Sequence, residues 1–489
     1  MLTVLRKPIF MLFALLLLTV SCAERPVNPQ ILRTDPSGGY RLFTRPNYAM
    51  EGENAIVLAF SGGGMRAAAF SYGVLEFLRR TEITGPAGEK SRLLDNIGVI
   101  TGVSGGSFTA LAYGLYGDRL FEDYHSRFLK QDVQGEIMSR IFIPAYWSSL
   151  MSSHWGRSEL AADYYDEVLF KGATFGELQK RKGPYVVVSA TDISTGASLP
   201  FTQDYFDVLC SDLNAVRLSR AAAASSAVPV VLRPVTLNNY AGTCNFDVPD
   251  WIKPFFGYRE PPRAASRVFR HLKEEGAFAD ARRPYLHVVD GGLSDNLGMR
   301  SVLDTLEVME ALHLLGRPTP YDHLRRIAVF VVNARSSPKT DWDRRESSPS
   351  TLKLMIKAAG VPIDYYSYEA MELLKDKQAR WGTMRRIRQS PGFASAAKDP
   401  AFSTDLHTPD TEIYAIDVSF AALPDRKEFE YLNDLETSMV LTEEAVDRLR
   451  AAAGKAIMAS AEFQRFLRDV GATIASAPPR SVPAAPVSQ

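Results

Sequence analysis

The chain has 489 residues, enough for several domains or for one large α/β domain with additions. Lysine plus arginine balances aspartate plus glutamate at 56 each, so no overall field draws the chain to nucleic acid or to an acidic surface. No nucleic-acid partner is expected on that balance. No metal-ligand spacing is visible, and the sequence calls for no metal and no cofactor.

Taken in order, the chain opens with Arg6 and Lys7 ahead of an apolar run from Ile9 to Val20. That run is shorter than the ~20 residues a helix needs to span a bilayer. A charged start followed by a short apolar stretch is a secretory signal, over residues 1–21. It ends in Leu18-Thr19-Val20-Ser21-Cys22-Ala23, which resembles the bacterial lipoprotein cleavage box. Thr19 departs from that box, which normally carries an aliphatic residue there. The resemblance implies cleavage before Cys22 and its acylation, hence a membrane anchor. Ala23 in place of an aspartate implies retention at the outer membrane, on its periplasmic or its surface face. Ordinary cleavage that leaves Cys22 free is the other reading. Residues 22–53, rich in Pro, Gly, Asn and charge, read as a tether.

Ala55 to Phe60 is a buried-strand run that meets Ser61-Gly62-Gly63-Gly64-Met65-Arg66 and then a helical segment, Ala67 to Arg80. Three glycines between a strand and a helix leave backbone N–H groups uncovered at a positive helix end, which is an anion site. Gly62-x-Gly64-x-x-Ala67 also fits a dinucleotide fingerprint. That reading needs an acidic residue at the end of the second strand, whereas Glu82 and Asp95 precede that strand.

The second strand, Ile97 to Ile100, runs into Gly102-Val103-Ser104-Gly105-Gly106 and a helix-compatible segment from Ser107 to Tyr116. A serine with glycines two residues before and after it, between strand and helix, is forced into a sharp turn that exposes its hydroxyl. The helix start favours an oxyanion nearby. From Ile141 to Phe170 the chain carries Phe142, Tyr146, Trp147, Trp155, Tyr164 and Tyr165, with Leu150 and Met151. These aromatics read either as the packed side of a helical subdomain or as a lid or lipid-facing surface. Cys210 and Cys244 are left as an even pair in an exported chain, either bridged or two core thiols.

With these pieces in place the chain resembles the patatin-like phospholipase family. The Gly62-Gly63-Gly64-x-Arg66 loop and the Ser104 elbow carry the resemblance first. Pro184 to Gly196 looks like the family's central strand and turn, and Ser219 to Pro229 like its Ala/Ser-rich helix. Leu286-His287-Val288-Val289-Asp290-Gly291-Gly292 carries its Asp-Gly-Gly element. The matches keep the family's order over roughly Ala55 to Asn333. They imply a three-layer α/β/α fold on a mainly parallel sheet, with the catalytic domain at 54–335.

Phe246 to Arg283, Pro- and charge-rich, reads as a surface excursion, and Ile327 to Asn333 as a core strand. Beyond Ser336 the composition shifts. Thr351 to Trp381 is helical in pattern, Ile413 to Val418 reads as a further strand, and Thr442 to Val470 as an amphipathic helix or helix pair capped by Thr442. Residues 336–474 are therefore expected to form a C-terminal, mainly helical extension packed on the core, and 475–489 a disordered tail.

Chemically, a serine needs a base. The seven histidines are His125, His154, His271, His287, His313, His323 and His407, none in a partner context. His287 lies three residues from Asp290, hence on the opposite strand face. The family resemblance points to Asp290 as the sole base of a Ser104–Asp290 dyad, with the N–H groups of Gly62, Gly63 and Gly64 as oxyanion donors. Arg66 reads as orienting the loop, as meeting a lipid phosphate, or as a surface ion pair. An ordinary aspartate pKa near 3.9 is far from ideal for this task. The reading is a membrane-tethered serine lipid acyl hydrolase, a carboxylic ester hydrolase acting on lipid or phospholipid. The alternative is an inactive patatin-fold binding or scaffold lipoprotein.

Overall fold

The computed structural model describes residues 25–44 and 52–474, apart from 86, 145, 148–151, 153–154, 230, 250–252, 254–268, 271, 275, 341 and 393–407. The signal at 1–21, Cys22, Leu150, Met151 and the tail at 475–489 lie outside the described residues.

The strands are β1 (Asn54–Phe60), β2 (Glu82–Thr84), β3 (Lys90–Arg92), β4 (Ile97–Gly102), β5 (Tyr185–Asp192), β6 (Ser198–Pro200), β7 (Val235–Asn238), β8 (Tyr285–Asp290), β9 (Arg326–Asn333), β10 (Glu412–Ser419) and β11 (Thr473–Ile474). The main sheet runs β10-β9-β1-β4-β5-β8-β7, with β6 paired to β5, and β11-β2-β3 form a small second sheet. From β10 to β5 every pairing is parallel, whereas β8 lies antiparallel to β5 and to β7. A mainly parallel sheet is thus finished by antiparallel strands at one end.

The apolar runs follow from burial on both faces. Ile56, Leu58 and Phe60 of β1 join one core, and Ala55, Val57 and Ala59 join the other. In β9, Ala328, Phe330 and Val332 face the first core, and Ile327, Val329 and Val331 the second. The first core is closed by α1 (Gly64–Arg80), α2 (Gly105–Tyr116) and α3 (Leu218–Ser225). The second is closed by α5 (Arg300–Leu314), which follows the short turn α4 (Gly292–Asp295), and by the later part of α6 (Thr351–Arg388). Three layers, α/β/α, result.

The C-terminal extension is woven into this body. β10 pairs with β9 along its whole length, from Glu412 opposite Arg326 to Ser419 opposite Asn333. α7 (Glu443–Ala459), capped by the Thr442 hydroxyl, packs on α1. A Cβ at Gly73 would stand 2.4 Å from the Arg450 carbonyl oxygen, so glycine permits that close approach. α8 (Ala461–Asp469) completes the helix pair, capped by Ser460. On the other face, Lys377 of α6 lies buried between Glu307 and Glu310 of α5, at 3.6 and 3.2 Å.

The tether expected over 22–53 requires correction, because residues 25–44 are docked on the body. Tyr40 is fully buried, stacks on Tyr185 at 4.9 Å, and exchanges 2.9 Å hydrogen bonds with the Val186 backbone. Arg41 pairs with Asp204 and Asp207, and the Asn28 amide donates to Ser211 Oγ at 2.8 Å. The linker-like composition conceals a few specific anchors. Cys210 and Cys244 form a disulfide beside this strap, whose Ile31 N–H donates to the Cys210 carbonyl.

Candidate active site

β1 and β4 are adjacent and parallel, with Phe60 in register with Gly102. The glycine loop and the serine turn therefore leave the carboxyl ends of neighbouring strands side by side, where open α/β sheets place their ligand sites. Ser104 has φ 48° and ψ −120°, a backbone conformation rarely taken by residues with a side chain. Its neighbours explain how the turn is accommodated. A Cβ at Gly106 would come within 2.7 Å of the Phe60 and Ser61 carbonyl oxygens, and one at Gly105 within 1.9 Å of the Gly64 carbonyl oxygen. The two loops touch backbone to backbone, which only glycine allows.

The strained turn is held from beneath. Ser225 Oγ accepts the Ser104 N–H at 2.9 Å and donates to the Ser189 carbonyl at 2.7 Å, while Ser107 Oγ donates to the Ser104 carbonyl at 2.5 Å.

β8 brings in the carboxylate. Ala190 pairs with Asp290, two residues along β5 from Val188, the partner of Gly102. Ser104 Oγ donates to Asp290 Oδ2 at 2.8 Å across 186 positions of sequence. The other oxygen, Oδ1, accepts the Gly292 N–H at 2.8 Å. Burial pushes the Asp290 carboxyl up to about 6, against the smaller lowering effects of the Gly292 and Ser104 hydrogen bonds. The mismatch expected from an ordinary aspartate pKa is thereby largely removed, since burial disfavours the charged form.

Among the described residues no histidine bonds to either group. His287 is exposed and meets Thr236 Oγ1 at 3.0 Å across the β7–β8 pair.

The glycine cradle is narrower than expected. The Gly62 N–H donates to the Asn296 carbonyl at 2.8 Å, so it is not available as an oxyanion donor. Among the described residues the N–H groups of Gly63 and Gly64 have no acceptor, nor does that of Gly105 directly after the serine. Gly63 and Gly64 have φ of 135° and 60°, a local backbone that residue type makes possible.

Arg66 is buried and neither pairs on the surface nor reaches solvent. Its Nε donates to the Ala334 carbonyl at 2.7 Å, and its two terminal nitrogens to the Leu435 carbonyl at 2.9 Å and Thr437 Oγ1 at 3.0 Å. Desolvation lowers its guanidinium to about 10. Of the roles weighed, loop positioning is the one these contacts serve. The Met65 N–H donates to the Ser438 carbonyl, 2.8 Å away. Residues 435–438 of the C-terminal extension therefore wall the cradle.

Sequence reasoning missed Ser225, Asn296 and residues 435–438 as parts of the site, and the Gly105 N–H as a further donor beside it. Ser225 and Gly105 stood inside quoted motifs; the 435–438 loop carries no motif. The aromatic stretch is divided: Trp155, Tyr164 and Tyr165 are buried, whereas Phe142 and Trp147 are exposed. Asp192 is fully buried and bound to Thr195 Oγ1 at 2.7 Å and Arg283 at 2.5 Å, holding its turn.

Residues 58–303 match the family model described as Patatin-like phospholipase. The chain belongs to the patatin-like phospholipase family. Its three-layer α/β architecture is the patatin fold. Human GIVD cytosolic phospholipase A2 is a similar solved structure, at 13% identity and a TM-score of 0.39, covering 85% of this chain and 60% of that one. Its complex with methyl gamma-linolenyl fluorophosphonate is similar at 14% identity and 0.37, over 86% of this chain and 59% of that one. VipD from Legionella pneumophila follows at 11% identity and 0.26, over 92% and 72%. The chain thus spans about 60% of the length of the human enzyme. None of the curated proteins compared with it matches.

Proposed function

We propose that this patatin-family chain is a serine lipid acyl hydrolase that works through a Ser104–Asp290 dyad. The observation that carries the reading is the 2.8 Å hydrogen bond from Ser104 Oγ to a buried carboxylate. Beside that turn stand the Gly63 and Gly64 N–H groups, which have no acceptor among the described residues.

Ser104 Oγ attacks the ester carbonyl carbon as its proton passes to Asp290 Oδ2. The carbonyl oxygen gains the negative charge, and the Gly63 and Gly64 N–H groups stabilise it; such donors are worth about 3–4 kcal/mol each in comparable sites. The C–O bond to the leaving alcohol then breaks as Asp290 returns the proton to it. Water attacks the acyl-Ser104 ester, Asp290 takes the water proton, and the fatty acid leaves as Ser104 recovers its hydrogen. Asp290 must be ionised at the start of each half-reaction.

On the same reading the chain is exported, acylated at Cys22 and held at the bacterial outer membrane. Among the described residues no helix is long and apolar enough to cross a membrane.

The test is hydrolysis of short p-nitrophenyl esters and of phospholipid by the parent chain and by Ser104→Ala. The proposal expects both activities to disappear with the thermal unfolding curve preserved. Retained turnover in a folded Ser104→Ala chain would remove it.

A further inference from the structure

α6 is two kinds of helix in one. Ala370, Met371, Leu374 and Trp381 of its later part are buried in the second core. Its earlier part presents Leu354, Met355, Val361, Tyr365, Tyr366 and Tyr368 at 42–72% exposure. From Thr351 to Ala359 every residue whose side chain is described is exposed, so among the described residues none of these side chains is buried against the body. At about 100° per residue, Lys353, Lys357 and Asp364 fall within about 40° of one another, and the apolar side chains occupy the broad remainder. Asp364 is neutralised by Arg335 at 3.0 Å, whereas Lys353 and Lys357 have no partner among the described residues. The exposed half is therefore apolar over most of its girth with a net positive stripe.

Its place matters as much as its character. The turn α4, which begins two residues after Asp290, packs on α6. Arg300 lies over the Tyr366 ring at 5.4 Å. Arg335, the partner of Asp364, follows Ala334, whose carbonyl is bound by Arg66 of the glycine cradle. The helix thus packs beside the turn that follows Asp290, and the ten residues before Val361 extend it by a further ~15 Å along its axis.

We propose that the first half of α6, from Thr351 to Tyr368, enters an anionic lipid surface and holds the mouth of the site against it. An interfacial helix needs a wide apolar face and a cationic stripe that meets anionic headgroups, and this helix has both. The proposal rests on the hydrolase reading above only in that the same site then draws its substrate from that surface.

The experiment uses the chain expressed without the 1–21 signal and carrying Cys22→Ser, so that neither the apolar run at Ile9–Val20 nor an acyl anchor contributes. Vesicles of phosphatidylcholine, with and without phosphatidylglycerol, are sedimented with this parent, with Leu354→Glu/Met355→Glu, and with Lys353→Gln/Lys357→Gln. The first pair should weaken vesicle binding and vesicle phospholipid hydrolysis by about tenfold or more, leaving hydrolysis of soluble p-nitrophenyl butyrate unchanged. The second pair should weaken binding only to the phosphatidylglycerol vesicles, by about tenfold. Ser104→Ala should lose both hydrolyses yet bind vesicles like the parent, which separates failure of the chemistry from failure of the docking surface. Unchanged vesicle binding by the Glu pair would overturn the proposal. So would equal loss of both hydrolyses in that pair, or light scattering that shows a parent dimer turned into a monomer, which would assign the face to a second copy.

Discussion

Asp290→Asn changes one atom and separates chemistry from stability. The asparagine keeps an oxygen for the Gly292 N–H and places an amide where Oδ2 accepted the Ser104 hydroxyl. In the folded chain the carboxyl titrates at about 6 against 3.8 in the free state, because burial disfavours its ionised form. Between these values the folded chain holds the extra proton, so this group's contribution to stability falls as pH rises from about 4 to about 6 and stays at its lowest above that. A shift of about two units corresponds to about 3 kcal/mol of destabilisation by the ionised carboxylate. Removing the charge should therefore stabilise the chain by up to about 3 kcal/mol near neutrality, or about 3 °C in a protein of this size. Below about pH 4 the gain should vanish, since the carboxyl is then protonated in both states. The same substitution removes the base and should lower ester turnover by about 10²–10⁴-fold. Thermal unfolding by circular dichroism at about pH 7.5 and about pH 4, with p-nitrophenyl ester hydrolysis alongside, reads both effects. A variant that is less stable than the parent at both pH values, or that still turns over at the parental rate, would refute the reasoning.

Three further outcomes follow from the same geometry. In the parent chain kcat/KM for a short ester should rise with pH through about 6 and level off, as Asp290 ionises; a flat profile across that range would place the base elsewhere. Arg66→Lys cannot reproduce three hydrogen bonds to Ala334, Leu435 and Thr437. It should cost about 2–4 kcal/mol and open the 435–438 loop to limited proteolysis, with unaltered cleavage counting against the staple. Reducing the Cys210–Cys244 bond, 34 positions apart, should lower stability by about 3–4 kcal/mol in the chain-entropy model while leaving ester hydrolysis in the folded chain intact, both read by urea titration with and without reductant.

The parts of the site readable in the sequence are those set by local backbone geometry. Gly102, Gly105 and Gly106 around Ser104, and Gly291 after Asp290, mark turns that have few other residue solutions, and the apolar runs of β1, β9 and β10 mark strands buried on both faces. What depends on contacts between distant segments was not readable. Gly62 shows as a backbone donor in sequence, but its direction towards the Asn296 carbonyl is set by tertiary packing. Arg66 could be placed at a helix start, but its partners come from residues 334 and 435–437. Asp290 appears as an ordinary aspartate until its burial is seen, and that burial changes its acidity. Residues 25–44 have a linker's composition because Tyr40, Arg41 and Asn28 act as single anchors, without the periodic apolar pattern of a helix or strand.

A fluorophosphonate probe tests the dyad most directly, because it labels only a serine whose proton is being taken. Peptide mapping of the labelled chain should find one adduct, on Ser104, formed faster as pH rises through about 6 and absent from Asp290→Asn. An adduct on another residue, or undiminished labelling of Ser104 in the Asp290→Asn chain, would contradict a carboxylate acting alone as the base.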